Sequence, residues 1–547
     1  MTRCALNAQE SLICSSCNCA AQSRAVTNLV LQQFWFAQFL SQTTVAANHN
    51  NPQDKPVVFS ESRSLVLRIV QVFWLHIEGL RQQNQSNQVL RQPQIFSSPA
   101  LATALVACLF FLFSSGCSTH SKRISQPRNL FYDGQLQACR TGLEKLAKSN
   151  RHDRDVVNLD LAIVDLLSGQ AKQAEAKLRD VRDRFDHLEQ DSITEKTVSM
   201  WTDDQAKSYS GEDYEKILIR VFLSLSSLMH DGIDAESYTL QVQDKHEELG
   251  QMFAKRNGKA GSEYTPLPLG FYMRGMLREA THRDYDDAVR NYEFASQLLP
   301  NCQPLLWDLA RVRNGVHSQP GHGVIYVFAM VGRGPYKVEV AEQPTSDALL
   351  IADRIVSALG PYQLPPTIAP IKIPDVVVPH SDVDSVGIRI NGSPIGPTTS
   401  LANIEQLAVA TYQANRNSTI ARAVARRVIK KATVAAAKNS IGKDGLTGIG
   451  MDIAGIAWEA SEAADTRCWG LLPRDIQVLR VEAPAGDHQL QLNPLLGNRP
   501  VGPAQTTPVR VIDGLNTYVV CWFPDARSVI QMMCSNRAEP DRIMDEP

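Results

Sequence analysis

Cys117 is the residue best placed to do chemistry. It follows Ser114-Ser115-Gly116 at the exit of an apolar run, residues 100–113, and the chain turns polar at once in Ser118-Thr119-His120-Ser121-Lys122. The run is too short to cross a bilayer, which takes about 20 residues, and has the length of a signal-peptide core. Small residues followed by Cys at such an exit form a lipid-modification pattern. The thiol receives a diacylglycerol, the peptide is cut just before the Cys, and the new amino terminus is acylated. That pattern usually has Leu three residues before the Cys, where this chain has Ser114. Leu105-Val106-Ala107-Cys108 matches the short pattern better, but cleavage there would strand the apolar residues 109–113 on the mature protein. Cys117 is therefore the expected lipidation site. The competing readings are an uncleaved signal anchor and a buried core helix.

The other chemistry-bearing groups are sparser. Asp465, Arg467 and Trp469 form the densest polar and aromatic cluster. Asp and Arg two apart do not face each other on a helix. Their expected role is to cap and pin a helix end against the strands, by an ion pair and Trp burial; a ligand site is the alternative. Ser440-Ile441-Gly442-Lys443 is an SxxK without the SDN and KTG elements that accompany it in penicillin-binding enzymes. His322, between two glycines, reads as a turn residue. Cys14, Cys17 and Cys19 lack the fourth ligand and second pair of a metal site. HExxH, a phosphate-binding Walker loop and GxSxG are all missing. No catalytic residue, no metal site and no cofactor is expected.

Composition is that of a globular protein, 44% hydrophobic with a net charge of −2, which gives no reason to expect nucleic-acid binding. Residues 118–547 are enough for two or three domains with real cores. Their cysteines, Cys139, Cys302, Cys468, Cys521 and Cys534, have irregular spacing and imply no disulfide framework, at most a single bridge. Residues 1–97 are Gln-, Asn- and Ser-rich with little periodicity, and are expected to be a disordered or misassigned leader. Signal sequences begin near the true start. No Met lies between Met1 and Met200, so a shorter start would use another codon, for instance at Val89 or Leu90.

The elements that must position these residues begin with helices. Tyr285, Ala288, Tyr292, Ala295 and Pro300 fall at the signature offsets of the second helix of a tetratricopeptide repeat, and residues 271–281 would be its first helix. The small Ala288 lets the two helices approach closely, and Pro300 ends the second. Weaker copies run through residues 161–184 and 134–146, and residues 214–249 form a related helical pair. A generic helical bundle is the alternative.

At Gly321 the pattern changes to strands. Residues 323–328 are near-continuously apolar, and residues 336–340 alternate, with Gly332 and Pro335 in the turn between. Residues 376–378 and 385–390 follow, the latter ending in an Asn391-Gly392 turn. Residues 401–437 read as a helix carrying Arg422, Arg426, Arg427, Lys430 and Lys431, either a solvated face or a contact for anionic lipid or a partner. The helix resumes through Trp458 and ends near Trp469. Strands return at 476–481, 488–492, 509–512 and 518–522.

The stretches 321–340, 420–431, 484–488 and above all Ala463-Ala464-Asp465-Thr466-Arg467-Cys468-Trp469-Gly470-Leu471-Leu472-Pro473 resemble a family of uncharacterised bacterial envelope lipoproteins. The resemblance implies an α+β chain: a tetratricopeptide-like α-solenoid followed by a β-rich, sandwich-like domain with a helical insertion. It covers most of the chain after Cys117 and carries no assigned chemistry. The domain expectation is then a leader at 1–97, signal and lipobox at 98–117, and a linker at 118–127. Next come the helical domain at 128–316, strands at 321–400, the helical insertion at 401–470, strands at 474–535 and a tail at 536–547. The expected function is a non-enzymatic, membrane-anchored scaffold or adaptor that holds an envelope protein through its helical repeats, in cell-wall or secretion-related assembly. Ser118 after the Cys favours the outer membrane, facing the periplasm. The alternative is an envelope enzyme acting on peptidoglycan or polysaccharide, which would need paired carboxylates or an activated nucleophile in a cleft.

Overall fold

The computed structural model describes residues 119–192, 208–257, 266–359, 363–364, 368–441, 463–526 and 532–535. Cys117, Cys108, the leader and the tail lie outside them, as do Gly442 and Lys443 of the SxxK. Among the described residues no helix is long and apolar enough to cross a membrane.

Nine helices open the described chain: α1 His120–Tyr132, α2 Leu136–Ser149, α3 Arg154–Leu167, α4 Ala171–Ser192, α5 Asp213–Leu228, α6 Ala235–Asn257, α7 Pro268–Glu279, α8 Tyr285–Leu298 and α9 Gln303–Arg313. Each packs on the helix before it and the helix after it. The layer is two helices deep. In α2 only Cys139 and Leu143 are buried, and α8 buries one narrow stripe, so these helices lie outside. In contrast, α3 is buried from Val156 almost without break and α5 throughout from Glu215. A helix buried all round needs a second surface to cover it, and the strands supply that surface.

The strands are β1 His322–Arg333, β2 Tyr336–Glu342, β3 Ile371–Val377, β4 Ser385–Ile390, β5 Ser393–Pro397, β6 Thr399–Asn403, β7 Pro473–Pro484, β8 Gly486–Leu496, β9 Arg499–Pro500, β10 Gln505–Val511, β11 Asn516–Phe523 and β12 Met532–Ser535. One sheet has the order β12-β11-β1-β7-β6; a second has β10-β8-β4-β5, with β9 on β8. Central β1 runs parallel to β11 and antiparallel to β7. Its side chains alternate between two cores. Val324, Tyr326, Phe328 and Met330 join the helices, while Ile325, Val327, Ala329 and Val331 join the second sheet. That is why β1 reads as a continuous apolar run: both of its faces are covered. The result is mixed α+β, with a helical layer, a sheet and a second sheet stacked in that order. Asn391 and Gly392, both at positive φ, close the two-residue β4–β5 hairpin.

Several expectations are corrected. The supposed linker at 118–127 is largely α1, with Ile124 and Pro127 buried; the stretch after Cys117 is polar, but Ile124 and Phe131 share one buried face. The boundary between residues 316 and 321 does not divide two cores, because one apolar cluster runs from Ile124 through Tyr326 to Trp522. β1 and β2 form no hairpin. Instead β2 pairs with β3, and this ribbon packs on α10 Ser346–Leu359 and α11 Ile404–Ile441 through Ile371, Ile373, Ala348, Ala352, Ile420 and Val424. The strands β5 and β6 and the helix α10 had no expected counterpart, and Leu401 belongs to β6 rather than to the helical insertion. The basic run of α11 is not a solvated face throughout: Lys430 is buried, and Arg427 donates to the Ala369 and Pro370 carbonyls.

Candidate functional site

Residues 463–472 are not a helix end. They form an irregular segment threaded between the helical layer and the first sheet. The segment is held by its own backbone, whose N–H groups must find acceptors once buried. Trp469 N–H donates to Glu215 Oε1 on α5 and Leu471 N–H to Asp160 Oδ1 on α3, each at 2.8 Å. Thr466 Oγ1 accepts from Ser121 N–H of α1 at 3.0 Å. Asp465 and Arg467 form a two-pronged ion pair at 2.8 and 2.7 Å, and Arg467 also donates to the His152 carbonyl. Trp469, 1% exposed, packs on Phe222 with ring centres 5.3 Å apart. The cluster Asp465, Arg467 and Trp469 is therefore a pin, and it fastens the segment to the helices. Burial raises the carboxyls of Asp160 and Glu215; for Glu215 the nearby Glu212 adds to the effect.

The repeat-signature residues behave as packing residues. Ala288, Tyr292 and Ala295 are fully buried, Tyr285 is half-buried, and Pro300 is exposed just beyond α8. Tyr292 lies against Gly275 of α7, where a Cβ would come within 3.0 Å of the ring. Close approach here depends on that glycine as well as on Ala288.

Sequence reasoning missed a cleft of about 270 Å³ between α9 and the strands β5, β6 and β7. Trp307, 68% exposed, stands on its helical wall and Ile395, 47% exposed, on its strand wall. Asp308, Arg311 and Arg480 lie deeper, with Glu279 fully buried behind them. Tyr272 Oη donates to Asp308 Oδ2 at 2.8 Å, Arg311 bridges Glu279 Oε2 at 2.8 Å and Asp308 Oδ1 at 3.3 Å, and Tyr326 Oη donates to Glu279. Arg480 stands 3.8 Å from both carboxylates and donates to the His317 carbonyl. Burial raises the Asp308 carboxyl, opposed by the two arginines. The signal for this group was in the sequence: Asp308 and Arg311 share a helix face three residues apart, and Arg480 interrupts an apolar strand.

The arrangement limits the chemistry. Each carboxylate is engaged by an arginine and a tyrosine hydroxyl. Cys302 lines the cleft, but burial pushes its thiol up, away from the reactive thiolate. Cys139, Cys302, Cys468 and Cys521 are free. Among the described residues no group of three or more His, Cys, Asp or Glu could hold a metal ion. Comparison with protein-family models, curated proteins and solved structures gives no match.

Proposed function

We propose that this protein is a non-enzymatic envelope lipoprotein, anchored through Cys117, that binds a protein partner on a tetratricopeptide-like helical array. The observation that carries the reading is an aromatic stack on the outside of the helical layer. Phe294 of α8 is 52% exposed and lies 5.6 Å from half-buried Phe271, which in turn stacks on His246 of α6 at 5.7 Å. Exposed aromatic side chains backed by packed neighbours are what partner surfaces use. Leu240 of α6 is 45% exposed as well. The inner face, which an open solenoid would offer as its groove, is filled by the chain's own sheet. A partner therefore engages the outer helices.

The enzyme alternative is not favoured, because the carboxylates in and behind the cleft, Asp308 and Glu279, are held by Arg311 and tyrosines. Photo-crosslinkers placed at 294 and 240 in intact cells test the scaffold reading, with position 496 on the second sheet as control. The expected result is a discrete adduct at 294 and 240 and none at 496. Equal labelling at all three positions, or none at any, would overturn it.

A further inference from the structure

We propose that the cleft between α9 and the strands β5–β7 binds a neutral saccharide ring. The proposal stands independently of the scaffold reading. Trp307 is 68% exposed and turns a broad indole face to solvent. Here it borders a real cavity of about 270 Å³, just under the range of small-molecule sites. The opposite wall adds the exposed Ile395. Apolar lips over a polar interior suit a molecule with one apolar face and hydroxyls at its rim.

The charges narrow the class. Two acids, Glu279 and Asp308, face two bases, Arg311 and Arg480, so an anion or a cation gains nothing net from the site. The groups offer both donors and acceptors, and Thr399 adds a hydroxyl to the lining. The Arg480 side chain is only 10% exposed, and its Nε stands 3.8 Å from Glu279 and from Asp308. The electron-rich face of Trp307 attracts the polarised C–H groups of a pyranose ring. A fatty chain would offer the polar interior no hydrogen bonds.

The test titrates the full chain with three neutral tetrasaccharides, of glucose in α linkage, of glucose in β linkage and of N-acetylglucosamine, following tryptophan fluorescence and heat. At least one should saturate. Trp307→Ala should weaken it by about tenfold or more with an unchanged melting temperature, because the side chain is mostly exposed. Trp307→Phe should recover most of the affinity. No saturable signal from any of the three at about 10 mM, or unaltered binding by Trp307→Ala, overturns the proposal. So does tighter binding of a sugar acid than of its neutral parent, since that would show an anion site.

Discussion

The backbone N–H of Leu471 donates to the carboxyl of Asp160 at 2.8 Å, across 311 residues of chain. Asp160 is fully buried, its second oxygen has no partner, and burial holds its carboxyl well above the usual range. The residue serves Leu471 as an acceptor, and burial disfavours its charged form.

Asp160→Asn should accordingly melt at or above the wild-type temperature at neutral pH, because it keeps the acceptor without the buried charge. Asp160→Leu should lose about 1–3 kcal/mol from the unpaired Leu471 N–H. A carboxyl raised in the folded state binds its proton more tightly there. Wild-type stability therefore gains as pH falls through the folded pKa, and the Asn variant lacks that gain. Melting curves of the three proteins at two pH values check the sign. An Asn variant as damaged as the Leu variant would refute it.

Trp469→Ala should cost roughly 3–5 kcal/mol, the range for truncating a buried large aromatic, out of a total of about 5–15. Partner binding should fall only in proportion to the unfolded fraction. Denaturation and binding measured on one preparation separate the readings: a stable variant that has lost binding would contradict the pinning role.

His246 and His317 are 5% and 2% exposed, and burial pushes both imidazoles down to about 4. His246 Nε2 accepts from Leu267 N–H, a contact only a neutral ring makes, and His317 Nε2 donates to Asn516 Oδ1, which opposes burial in part. A depressed imidazole pKa means the unfolded chain takes up the protons first. The stability these rings contribute is present above about 6.5 and is lost as pH falls toward 4, reaching about 2 kcal/mol per ring at pH 5. Buried carboxyls act in the opposite sense, so the test is a difference. The double variant His246→Gln, His317→Gln should lose less stability than wild type between pH 7 and pH 5; parallel curves would be the failing result.

Cys117→Ala should abolish fatty-acid labelling and leave either a released protein or an uncut precursor. Labelling that persists in this variant would move the anchor to Cys108.

What was legible in the sequence follows from what periodicity encodes. The alternation in β4, the Asn391-Gly392 turn and the two-sided burial of β1 are local properties, written in consecutive residues. The burial of Trp469 was readable too, but its partners Phe222 and Glu215 were not, because nothing local links residues some 250 positions apart. A helix was expected to run through Trp458 to near Trp469, where the backbone N–H groups of Trp469 and Leu471 in fact meet acidic side chains. The polar stretch after Cys117 read as a linker where a buried face forms a helix. The cleft escaped notice because its charges come from α7, α9 and β7, which only the stacking of helices on sheet brings together.

The threading of residues 463–472 also sets the order in which this protein can be made. At about 5–20 residues per second, the ribosome delivers Leu471 some 15–60 s after Asp160, given their separation of 311 residues. Through that interval the acids Asp160 of α3 and Glu215 of α5 lack the backbone donors of Leu471 and Trp469. Closing contacts at such sequence distance is slow even for an intact chain. A chain truncated before residue 463 should be degraded or aggregate rather than persist as a working fragment.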